Sequence, residues 1–206
     1  MRKVFFIFLF LILINCSSNN NILKDTDNNN NLTPDIMYIN AMSSFKSDKY
    51  DEAFKQFTDL KNKYPLSNES LKGQMMIGFI EYLRMNYGES IFIYEKIINK
   101  FPYYKDIDYA YYMRALSYYE QIQNEELDGS MNLQAIDGFN QIINRYPNSK
   151  YTTDSKQKII AIKQNIAAKH MKIGLFYFNQ KKYIAAMNRF QKIINEYSKT
   201  KFTPEA

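Results

Sequence analysis

Apolar positions recur along this chain with a helical period, and they recur in copies. In YDEAFKQFTDLKNKYP (50–65) apolar side chains at i, i+1, i+4 and i+7, joined in the later copies by i+8, draw one stripe down a helix, and proline closes it. Three ungapped relatives follow: YGESIFIYEKIINKFP (87–102), NLQAIDGFNQIINRYP (132–147) and YIAAMNRFQKIINEYS (183–198). In each, a small residue (Ala53, Ser90, Ala135, Ala186) stands twelve positions before the terminal Pro65, Pro102, Pro147 or Ser198. A second set of helices precedes these, marked by Ala41 in IMYINAMSSF, Gly78 in QMMIGFIEYL, Ala115 in YYMRALSYYE and Gly174 in HMKIGLFYF. Paired small residues let the two helices of a hairpin approach closely, so the pattern predicts a helix-turn-helix repeat.

Ala41, Gly78, Ala115 and Gly174 are successively 37, 37 and 59 apart, a stretched version of the roughly 34-residue tetratricopeptide period. The loop QNEELDGSMN lengthens the third unit, and an apolar-periodic segment over about 154–180 lengthens the approach to the fourth. The expected fold is all-α: a tetratricopeptide-like solenoid over 34–206, with units at about 34–66, 67–103, 104–148 and 149–198 and a fifth cut short. One helix pair cannot bury its own apolar face, whereas stacked pairs bury a continuous core and leave a long surface for a partner. A binding protein is the expectation. Most of the 18 Tyr and 15 Phe are expected to pack between helices, leaving those on the inner side of the first helices as contact candidates.

The first residues concern location. MRK is followed by the eleven-residue apolar run VFFIFLFLILI, too short to cross a bilayer, which predicts a secretory signal over 1–15. Leu13-Ile14-Asn15-Cys16 resembles a bacterial lipoprotein box, with Asn15 departing from the usual small residue; Cys16 would be lipidated and become the mature N-terminus. A signal with an incidental cysteine is disfavoured, because a lone exported thiol has no internal disulfide partner. Ser17, rather than Asp, follows the cysteine, a pattern that in Gram-negative lipoproteins goes with the outer membrane. Residues 16–33, polar and Asn-rich, read as the lipidated end and a flexible tether. Removing the signal lowers the formal charge from +6 to +4, with no basic run or glycine-aromatic signature pointing to nucleic acid.

Catalytic chemistry has little to stand on. His170 is the only histidine, so neither a His-based triad nor a multi-histidine metal site assembles. Glu125, Glu126 and Asp128 form no calcium-loop pattern, and Gly73, Gly78 and Gly88 make no phosphate loop. The expectation is a protein without enzymatic activity, metal or cofactor.

Together the lipoprotein box, the tether, YDEAFKQFTDLKNKYP, YYMRALSYY, YPNSKYTTDSKQKI, AAKHMKIGLFYFNQKKYIAAMNRFQKIINEY and the closing TPEA resemble the BamD (ComL) family, tetratricopeptide lipoproteins of the outer-membrane β-barrel assembly (BAM) machine. The chain departs from the family in ending its fourth unit with Tyr197-Ser198 and in stopping at Thr203-Pro204-Glu205-Ala206, where a fifth helical pair normally begins. Without that pair, the apolar face of unit four is expected to be uncapped, in a fragment or beneath another subunit.

The resemblance implies a lipid-anchored protein on the periplasmic side of the outer membrane, working with a BamA-like barrel protein bearing POTRA domains and with other lipoproteins of the machine. The tetratricopeptide pattern puts Tyr38, Met42 and Phe45 of unit one, Met75, Phe79 and Tyr82 of unit two, and Tyr112, Leu116 and Tyr119 of unit three on the inner face. The family implies that this groove receives unfolded outer-membrane clients through their aromatic-ended C-terminal segments. It also implies that unit four docks on the POTRA domains, with Arg189 in AAMNRF at a basic position of the family. The rival is a periplasmic tetratricopeptide scaffold in cell-envelope or peptidoglycan assembly, alike in anchor and fold and different in partner.

Overall fold

The computed structural model describes residues 32–122 and 129–206, and residues 33–206 form one compact unit. The expected signal, Cys16 and almost all of the tether lie outside the described residues, as do Glu125, Glu126 and Asp128. Eight α-helices are described: α1 (Pro34–Lys46), α2 (Tyr50–Lys63), α3 (Asn68–Leu83), α4 (Tyr87–Lys100), α5 (Ile107–Glu120), α6 (Ser130–Arg145), α7 (Thr152–Asn179) and α8 (Tyr183–Glu196). No strand occurs among the described residues. Each helix packs on the next, giving the tetratricopeptide-like solenoid its hairpin order.

The small residues do what their pairing requires. Ala41, Ala53, Ala115, Ala135 and Ser90 have no exposed surface. A Cβ on Gly78 would come within 2.9 Å of the Tyr94 ring, and one on Gly174 would overlap Phe190. Phe57, Tyr94 and Phe139, one on the second helix of each of the first three units, are wholly buried and anchor the core at about 2–3 kcal/mol each.

Within units one, two and four the hairpin turn is one motif. Asp48, Met85 and Lys181 take φ of 59°, 62° and 60°, each seven residues after its small residue. Their N–H groups donate to Phe45, Tyr82 and Phe178, and the next N–H reaches back to Ser44, Glu81 and Tyr177, which satisfies carbonyls left over at the helix end.

Between units the second helices all stop two residues before the terminal position. The N–H of Tyr64, Phe101, Tyr146 and Tyr197 donates to Leu60, Ile97, Ile142 and Ile193. Proline restricts the residue before it in three of these turns, yet α8 stops at the same place with Ser198 following. The long segment before unit four is a single helix, α7, of 28 residues against 14 in α5.

Candidate functional site

The first helices line one side of the solenoid. α1 touches α3 and α3 touches α5 directly, while no pair of second helices meets to a comparable extent, so the first helices occupy the shorter, inner side. Side chains at the small residue minus three, plus one and plus four point there or toward the helix partner.

Units one and two bring their expected residues together. Phe45 lies 5.4 Å from Tyr50 and 6.0 Å from Phe79 between ring centroids. Phe79 stacks on Tyr82 at 6.2 Å, and Tyr82 meets the edge of Tyr87 at 5.6 Å. These five rings form an unbroken half-buried row across two units, and Met42, like Phe45, packs on the core of the first. Tyr82 donates its hydroxyl to Glu120 of α5 at 3.3 Å, and burial, then Glu120, raise its pKa above the ordinary tyrosine value. Tyr38 packs on Phe57 at 5.8 Å, and burial, then Glu69, push its pKa up. Phenols held protonated in this way offer neutral donors and flat apolar faces, suited to binding rather than to proton transfer.

Other expected residues sit elsewhere. Met75 is 6% exposed and belongs to the core, where its carbonyl accepts the Tyr94 hydroxyl at 3.0 Å. Tyr112 stacks on Tyr151 at 4.5 Å and donates to Asp154 of α7 at 2.8 Å. Lys158 holds its ammonium 4.4 Å above the Tyr119 ring, and Leu116 packs against the core. The third-unit positions are thus occupied by α7, and the open row belongs to units one and two. Tyr50 and Tyr87 join that row without being first-helix positions; their signal is that each is the opening residue of its second helix.

The fourth unit presents a different surface. Met187 and Ile194 are 55% and 42% exposed, where the equivalent Ile91 and Ile98 of unit two, lying under unit three, are 9% and 6%. With Tyr183, Ile184, Phe178 and Phe190 they line a cavity of about 310 Å³. Arg189 is half-buried on α8, its Nη1 3.5 Å from His170 Nδ1, and because a guanidinium only donates, a hydrogen bond here has the ring nitrogen accepting. Burial, then Lys192 and Arg189, lower the His170 pKa.

Among the described residues no group of three or more His, Cys, Asp or Glu could hold a metal ion, and no helix is long and apolar enough to cross a membrane.

Residues 30–206 match the model of the family described as YfiO, outer membrane lipoprotein. The chain is 34% identical over 170 residues to the outer membrane protein assembly factor BamD of Rickettsia prowazekii, covering 82% of this chain and 68% of that one. It is 30% identical over 172 residues to the protein of the same name from Caulobacter vibrioides, covering 84% of this chain and 56% of the relative. The BamD of Neisseria meningitidis serogroup A is 25% identical over 217 residues, covering all of this chain and 81% of its own length. The chain therefore spans little more than half to two thirds of the first two relatives.

Proposed function

The chain belongs to the YfiO family of outer membrane lipoproteins, and from that membership we propose that it is a non-enzymatic component of the outer-membrane β-barrel assembly machine. In this reading Cys16 carries the lipid that holds the protein on the outer membrane, facing the periplasm. Several acyl chains on one residue bind a membrane far more firmly than a single chain. The inner row receives an unfolded outer-membrane client. Unit four docks on the POTRA domains of a BamA-like barrel protein beside the machine's other lipoproteins, through Arg189 and the apolar surface around Met187 and Ile194.

The observation that carries the reading is the row Tyr50, Phe45, Phe79, Tyr82 and Tyr87, contiguous, half-buried and undisturbed by α7. A connected aromatic surface flanked by Met42 recognises apolar and aromatic side chains with little demand on their order, which suits clients that share an aromatic end and little else. Met75 has no place in this row, and Tyr112 has none while α7 covers it.

The test replaces Tyr38, Phe45, Phe79 and Tyr82 with serine in the full chain and measures binding of a labelled peptide ending in phenylalanine. At about 0.5–1.5 kcal/mol per lost aromatic contact, affinity falls at least tenfold. Unchanged affinity with helicity retained would remove the groove from the account.

A further inference from the structure

The first half of α7 is built like a first helix, yet no second helix lies on it. The turns leading into α3, α5 and α7 are alike: an N–H three residues after an aromatic donates back to it, Ser67 to Tyr64, Tyr104 to Phe101 and Ser149 to Tyr146. Fourteen residues beyond that aromatic stand Gly78 in α3 and Ala115 in α5, each buried under the second helix of its own unit. The same step in α7 reaches Ile160, which is 54% exposed. Gly174, the residue that does lie under a second helix, comes fourteen residues later still. At the place left open is a cavity of about 250 Å³, walled by Ile159, Ile160 and Lys163 on α7 and by Tyr197 and Lys199 after α8.

Charge narrows what fits there. Residues 145–206 contain 13 Lys and Arg against 3 Asp and Glu, whereas residues 32–144 contain 11 against 16. Lys156 and Lys163 flank Ile160 one turn to either side, on the same face of the helix and both exposed. Neither forms a salt bridge among the described residues, and Glu196, the one carboxylate on the cavity, is within 3.8 Å of Lys192.

We infer that the first half of α7 is the docking face for an acidic amphipathic helix of a partner protein, laid where a second helix would lie. At the usual helix spacing of about 8–10 Å, Ile160 enters the partner's apolar stripe, and Lys156, Lys163 and Lys199 face its carboxylates. This face is separate from the client row, so it stands or falls independently of the groove.

The probe is a labelled 16-residue helical peptide (about four turns) with a Leu/Ala stripe and glutamates elsewhere. Its control has lysine at every glutamate. Both are titrated against the full chain in neutral detergent micelles. The acidic peptide is expected to bind and the basic one not, with affinity falling as salt rises. The double reversal Lys156→Glu, Lys163→Glu should weaken binding at least tenfold, and Ile160→Ser severalfold; all three side chains are exposed, so the fold tolerates the changes. Equal binding of the two peptides would overturn the inference, as would an unmoved affinity in the double reversal or a footprint on Tyr183–Ile194. Self-association of the chain that the same reversal abolishes would also overturn it, making the occupant the acidic half of a second copy.

Discussion

Gly78→Ala and Gly88→Ala, ten residues apart in one unit, should move stability in opposite directions. Alanine in place of glycine in a helix ordinarily gains about 0.5–1 kcal/mol. At Gly78 the new methyl would lie 2.9 Å and 3.0 Å from two atoms of the Tyr94 ring and 3.2 Å from Ile93 Cγ2. Tyr94 has nowhere to retreat, being wholly buried and tethered by its hydroxyl to the Met75 carbonyl. Overpacking of this kind costs about 2–3 kcal/mol, so the net loss is about 1–2 kcal/mol. A Cβ on Gly88 meets nothing within 4 Å, and that substitution keeps the ordinary gain. Thermal unfolding followed by circular dichroism should show the first variant melting about 2–8 °C lower and the second slightly higher. Tyr94→Phe alone costs about 1 kcal/mol, yet combined with Gly78→Ala it should cost less than the sum, because the untethered ring is free to shift. A Gly78→Ala protein more stable than the parent would refute the close-approach argument on which the hairpins rest.

Lys181→Gly relieves a left-handed residue at φ 60° and should gain about 1 kcal/mol in urea unfolding; no gain would contradict the shared turn. Tyr112→Phe removes the hydrogen bond to Asp154 and should cost about 1 kcal/mol while leaving client-peptide affinity unchanged; a fall in affinity would return Tyr112 to the contact surface. His170 has a lowered pKa in the fold, so protonation favours the unfolded chain. Its contribution is complete above the ordinary histidine value of about 6.5 and is lost as pH falls through the lower folded value. His170→Gln should flatten the stability curve over that window, and an unchanged acid limb would exclude His170 as its source.

Much of the hairpin order is visible in the chain. The small-residue pairs mark helix contacts because any larger side chain at Gly78 or Gly174 would collide with Tyr94 or Phe190, and the aromatic-proline ends fall where α2, α4 and α6 stop. The turns are less legible: Asp48, Met85 and Lys181 adopt a conformation that glycine would advertise, and three different residues hold it. Periodicity also cannot separate Met75 from Phe79, four residues apart on one helix, since one turns into the core against Tyr94 and the other outward against Phe45. Nor does it show that Tyr112 is covered, because Tyr151 and Asp154 reach it from another unit. In α7 the small residue Gly174 draws attention past Ile160, the exposed residue that stands at the register position held by Gly78 in α3 and Ala115 in α5.

The most direct test of the central claim is recovery of the full-length protein from native membranes in mild detergent, with mass spectrometry of what stays bound. A POTRA-bearing barrel assembly subunit is expected among the retained proteins. Arg189→Glu with Ile184→Glu should lose that subunit, and Arg189→Glu alone should weaken the complex and lower its salt sensitivity. Retention of peptidoglycan or division proteins without any such subunit would contradict the claim and leave the solenoid serving a different partner.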